Sequence, residues 1–259
     1  MSFSTYTEFR NFVYEYCNRR STYIEENFDY FLLKGTHEFI KRCLPLGASK
    51  RIDFSHQTSG QPRNFLKTFI GGLYLTLGDI KTNLSLIPYA IEEINIFKQE
   101  VVDGNSYTHF RNLPYIRLGW PMRSWVSGGE IGGGYYIDFW SFQIQDRTDN
   151  GFVFYFFIPS VSNIQQVKIY IQGLWLPLNL SQDEVIWKNY DEEIALFTYY
   201  VILRALNEWA EMQIVWSECE KKIAEMRSGQ GTRRFLFPFQ YADYLLQVPK
   251  LQTQQVGGR

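Results

Sequence analysis

Residues 151–177 read GFVFYFFIPSVSNIQQVKIYIQGLWLP. The first half, Phe152 to Ile158, is an unbroken run of aromatic and branched side chains. The second, Val167 to Trp175, alternates: Val167, Ile169 and Ile171 stand on one side, Lys168 and Tyr170 on the other. A period of two places successive side chains on opposite faces of a strand. Asp149-Asn150-Gly151 just before is a turn signal. From Asn150 to Val167 there is no charge, but Asn, Gln, Ser and Pro159 interrupt the stretch. A membrane-spanning helix needs about 20 mainly apolar residues, so none is expected here.

Upstream, the same texture reaches back to residue 64. Phe65 to Leu77 is rich in Phe, Ile, Tyr and Thr, and Ile91 to Val102 partly alternates. Tyr115 to Val126 carries Trp120 and Trp125 around Pro121. A glycine cluster at Gly128–Gly134 precedes another strand-like run, Tyr135 to Gln145. Short strands parted by turns, with no helix of crossover length between them, predict an antiparallel sheet or sandwich over 64–177. The preceding stretch, Ala48 to Arg63, reads as a polar loop.

Helical patterns flank this β-rich core. Thr5 and Glu8 form a capping box. Tyr6, Phe9, Val13 and Tyr16 then follow at helical spacing, as an N-terminal arm over 1–20. Because a short helix is marginal alone, this stripe is expected to dock on another subunit. A second helix is predicted for Tyr23 to Arg42, stopped by Leu44-Pro45 and Gly47. After the core, Ser181 and Glu184 suggest a second capping box opening a helical region, 181–227. Within it, Glu193 to Trp216 is apolar on nearly all sides, which predicts one buried helix with Trp209 inside. A polar continuation ends at Arg227-Ser228-Gly229. Residues 228–259, with Pro238 and Pro249, read as an extended tail, loose from Gln252 to Arg259. The prediction is one α+β domain over 1–259: an antiparallel β-sandwich with flanking helices, an N-terminal helical arm and a buried C-terminal helix.

Among the 259 residues are 18 Tyr and 21 Phe. Aromatic side chains in such excess favour large packed surfaces, within a monomer or between monomers. The formal net charge of −1 leaves little self-repulsion to oppose association, and no basic field for nucleic acid. The three cysteines, Cys17, Cys43 and Cys219, are odd in number and form no CxxC pair, so they are expected to be reduced and buried. No basic start followed by an apolar run opens the chain, so no signal peptide is expected.

Candidate chemistry is sparse. The glycines at 128–134 lead into a strand rather than a helix N-terminus and match neither phosphate-binding spacing, so they read as a hairpin loop. His37, His56 and His109 are too far apart for a local metal pair. Neither a G-x-S-x-G elbow nor an H-E-x-x-H is present. Glu92-Glu93 and Glu192-Glu193 are adjacent and do not share a helix face. Arg227 to Arg234 reads either as a small anion nest or as a helix end running into a loop. No catalytic residue, cofactor or metal site is therefore expected.

Two segments carry a family resemblance. Tyr155-Phe156-Phe157-Ile158-Pro159 followed by Ile169-Tyr170-Ile171-Gln172-Gly173 resembles a strand–turn–strand of the cypovirus polyhedrins. Arg204, Asn207 and the run Trp209-Ala210-Glu211-Met212-Gln213-Ile214-Val215 resemble the helix that follows it there. The likeness spans Gly151 to Trp216 and extends to the amphipathic opening helix; the middle of the chain and the tail do not carry it. It implies a β-sandwich with flanking helices, homotrimers linked by the N-terminal helix, and a crystal lattice embedding virus particles. That lattice would lie in the cytoplasm of the infected cell, as occlusion bodies. It implies no enzyme, no membrane and no specific nucleic acid. Two other classes fit the residues: a cytosolic ligand-binding or enzymatic sandwich with an aromatic-lined pocket, and a subunit of a hetero-complex.

Overall fold

A computed structural model of the chain describes residues 3–18, 21–55, 66–69, 72–101, 108–112, 141–147, 151–158, 167–229 and 237–238. The first helix, α1, spans Tyr6–Cys17, and its capping box is present: Thr5 Oγ1 accepts from the Glu8 amide, while Glu8 accepts from the Thr5 amide. Helix α2, Thr22–Cys43, starts at the Ser21 cap and ends at Leu44 in the left-handed region. Ile24, Phe28, Phe31, Leu32, Gly35, Phe39, Ile40 and Cys43 recur at three and four residues and make its buried face.

Two antiparallel sheets follow. The first orders its strands β1–β8–β4–β5, where β1 is Ser49–Ser55, β4 is Leu86–Val101, β5 is Thr108–Asn112 and β8 is Val167–Pro177. The two-residue β9, Phe237–Pro238, joins the edge of β4 at Ala90 and Ile91. The second orders β2–β3–β7–β6: Lys67–Phe69, Gly72–Thr76, Gly151–Phe157 and Ser141–Arg147. The alternation of β8 sets its inward face, with Val167, Ile169 and Ile171 buried and Lys168 and Tyr170 half-exposed.

The expected polar loop at 48–63 is corrected in its first half. Ser49–Ser55 is strand β1, paired residue for residue with β8 from Ser49↔Leu174 to Ser55↔Lys168. Its Ser-Lys-Arg-Ile-Asp-Phe-Ser alternation places Phe54 in the core, a pattern hidden by three charges. Residues 56–65 lie outside the described ones. Strand β4 begins five residues earlier than Ile91. Pro88 conceals that start, yet it sits at a bulge where register shifts between Pro88 and Ala90, a position that tolerates a missing amide hydrogen. Gly173 pairs with Ile91 beside it, where an added Cβ would come within 2.2 Å of the Ala90 carbonyl oxygen. A helix, α3 (Leu77–Leu84), capped by Thr76, interrupts the expected run of strands.

Three helices follow β8 and its 3-10 turn. They are α4 (Glu184–Asn189), α5 (Asp191–Leu206) and α6 (Trp209–Gly229). The capping box expected at Ser181 is absent: Ser181 lies in a 3-10 turn capped by Asn179, and α4 follows Asp183. The single buried helix of 193–216 is corrected to two. Asn207 adopts φ 58° and stops α5 by left-handed geometry, which Asn tolerates. Helix α5 is the buried one, crossing α2 so closely that a Cβ on Gly35 would lie 2.4 Å from Thr198 Oγ1. Helix α6 buries only Val215 and Cys219, with Met212, Trp216, Ile223 and Met226 half-covered. Trp209 precedes that stripe and is 59% exposed, not buried as its apolar surroundings in sequence imply. One continuous hydrophobic core joins the helices and both sheets among the described residues.

Candidate assembly surface

The stripe on α1 is already covered by its own chain. Phe9 and Val13 are 0% exposed. Phe9 stacks on Trp187 of α4 at 5.7 Å between centroids, and Tyr6 meets the same indole edge-on at 6.3 Å. At the other end, Tyr16 meets Tyr199 of α5 edge-on at 6.4 Å and stays 42% exposed. Arg10 pairs with Asp29 at 2.5 Å and Tyr14 donates to Glu25 at 2.9 Å, which ties α1 to α2 as well. The arm therefore does not project in this conformation; of its four stripe residues, Tyr6 and Tyr16 keep solvent-facing edges. Burial raises the phenol pKa of both, with Asp29 adding at Tyr6 and Glu218 at Tyr16.

A second aromatic surface lies around a groove between α2 and α5. The cavity has about 300 Å³ and is lined by Tyr23, Tyr30, Phe31, Lys34, Glu38, Val201, Arg204 and Ala205. Lys34 donates to the Tyr30 hydroxyl at 3.0 Å. Glu38 is engaged by Arg42 at 3.1 Å. Neither Lys34 nor Arg204 has a carboxylate partner among the described residues. Arg42 also places its guanidinium 4.7 Å from the centroid of Trp216, which packs on Tyr200 at 4.9 Å. Trp216 thus marks the edge of α6 that faces α2. Trp209 lies seven residues, two turns, earlier on α6 and is 59% exposed.

Burial also shifts four titratable groups inside the described residues. Burial pushes the thiols of Cys17, Cys43 and Cys219 up to about 12, and all three are free, as the sequence suggests. Such thiols are poor nucleophiles at neutral pH. Burial holds His37 down to about 4, so its neutral ring lies 2.6 Å from the Pro177 carbonyl oxygen through Nε2. No group of His, Cys, Asp or Glu among the described residues could hold a metal ion. No described helix is long and apolar enough to cross a membrane.

No family model, curated protein or solved structure matches this chain. The residues that carry the polyhedrin resemblance fall on definite elements. Tyr155–Phe157 lies in β7 and Ile169–Gly173 in β8, two strands of different sheets that do not pair. Asn207 makes the break between α5 and α6, and Trp209 opens α6. The glycine cluster, His56 and residues 230–234 of the suggested anion nest lie outside the described residues. Arg227 donates from Nε to the Arg42 carbonyl oxygen at 2.8 Å, as a helix-end residue does. The groove has no recognisable motif in the sequence. Its signal was the spacing of Tyr23, Tyr30 and Lys34, three large side chains on one outward stripe of α2.

Proposed function

We propose that this chain is a non-enzymatic structural protein that assembles with its own copies into a crystalline matrix. As in the polyhedrins, that matrix would enclose virus particles in the cytoplasm of the infected cell. The observation that carries the reading is where the large apolar side chains lie. Trp209, Ile214, Leu46 and Val185 are each more than half exposed, and Tyr16 and Tyr23 are 42% and 40% exposed. These side chains are the candidate contact points of such an assembly, and tryptophan and tyrosine are among the residues enriched at interfaces. The near-zero net charge adds no repulsion against close packing.

In this reading the two sheets are the layers of a sandwich, trimers are the unit of assembly, and α1 reaches neighbours through the uncovered edges of Tyr6 and Tyr16. The test is expression of the chain alone. The expected outcome is insoluble, micrometre-sized crystals inside the cell that diffract as a lattice of this one protein. A soluble monomer at every concentration reached would overturn the reading and favour the pocket protein.

A further inference from the structure

Among the described residues, the most exposed aromatic side chain, Trp209, follows the end of the helix that lines the groove by a few residues. Arg204 and Ala205, at the end of α5, line the groove; Asn207 turns the chain; Trp209 begins α6. Trp209 lies on the edge of α6 that bears Trp216, and Trp216 touches α2, the far wall of the groove, through Arg42. Knob and hole therefore share one side of the molecule. Trp209 does not fill its own groove: it is absent from the lining and 59% exposed.

We infer that Trp209 of one copy seats in the α2–α5 groove of a second copy, whose Trp209 seats reciprocally in the first. The inference deepens the self-assembly reading and rests on it. A two-fold contact needs one patch that is complementary to itself, and an adjacent knob and hole supply that. The chemistry matches. The groove offers the aromatic walls of Tyr23, Tyr30 and Phe31 beside two cations, Lys34 and Arg204, that lack carboxylate partners among the described residues. Indole is the side chain that best accepts a cation over its face. Tryptophan in a central, desolvated pocket is also the commonest kind of interface hot spot.

The test uses the full chain in sedimentation velocity over a wide concentration range. Its variants are Trp209→Ala, Tyr23→Ala and Arg204→Glu. Trp209→Ala is expected to weaken association by about 30-fold or more, the loss typical of a hot spot. Tyr23→Ala and Arg204→Glu should weaken it too. The melting temperature of Trp209→Ala should stay at the wild-type value, since the residue is exposed. If the chain crystallises on expression, a folded, soluble Trp209→Ala chain that no longer crystallises is the same result. Association unchanged in Trp209→Ala, or lost there but unchanged in Tyr23→Ala, overturns the contact and leaves the self-assembly reading standing. A wild-type chain that stays monomeric overturns both.

Discussion

His37 shows how much a single buried group contributes. Its imidazole is 1% exposed and wedged between α2 and the end of β8, where burial disfavours the charged ring, the Pro177 carbonyl partly counters this, and Lys41 adds repulsion. Because its pKa is depressed from 6.5 to about 4, the folded protein binds fewer protons than the unfolded chain between those values. Stability is therefore fully present above pH 6.5 and is lost as pH falls towards 4, by up to about 3 kcal/mol. Urea unfolding across this window should show that slope in the wild type. His37→Gln, which keeps a donor but cannot charge, should flatten it. An identical slope in both proteins would place the titration elsewhere. The sequence showed only a lone histidine; its burial depends on a carbonyl 140 positions away, which no local pattern reveals.

At the scale of elements, local signals were legible wherever a single face decides the structure. The Thr5–Glu8 capping box, the three- and four-residue spacing along α2 and the alternation of β8 each appear in the fold as the residues suggest. Where the fold departs from the local pattern, particular residues are the cause. Pro88 hides the start of β4 because a bulge accommodates it, and Asn207 hides a helix break because the left-handed turn needs neither Gly nor Pro. Helix α1 was read correctly as a helix, but its destination was not legible, since an apolar stripe does not say which surface covers it. That surface is Trp187 and α5 of the same chain. Phe9→Ala should therefore cost about 3–5 kcal/mol in the monomer, as a fully buried phenylalanine does. Calorimetry or denaturant titration reads this directly. A loss under about 0.5 kcal/mol, typical of surface positions, would mean that α1 packs on its own chain only weakly.

For the whole molecule, the relevant variable is charge. The chain carries 18 tyrosines against a net charge of −1. Tyr6 and Tyr16 have raised pKa values, so the stability they contribute is present below pH 10 and is lost as pH rises through the raised values. Lysines lose their charge in the same range. An assembly of near-neutral units becomes mutually repulsive there. It is expected to hold from mildly acidic to mildly alkaline pH and to dissolve above roughly pH 10. Turbidity and far-UV circular dichroism followed together along a pH ramp check this. Turbidity lost before the fold supports repulsion, simultaneous loss points to denaturation of each subunit, and particles surviving about pH 12 overturn the mechanism. At this scale the composition was legible and the surface was not, because the groove and Trp209 become neighbours only when α2, α5 and α6 pack.

The pairing of early with late segments also sets a schedule for synthesis. Helices α1 and α2 close on α5, and strand β1 pairs with β8, so the first fifth of the chain finds its partners more than a hundred residues downstream. About 160 residues separate the end of α2 from the end of α5. A ribosome adding ~5–20 residues per second takes roughly 10–30 s to cover them. Throughout that interval, the apolar face from Ile24 to Cys43 is finished but uncovered. A nascent chain released or stalled in that interval presents this face to solvent, and its proteolysis should therefore be faster than that of the finished chain.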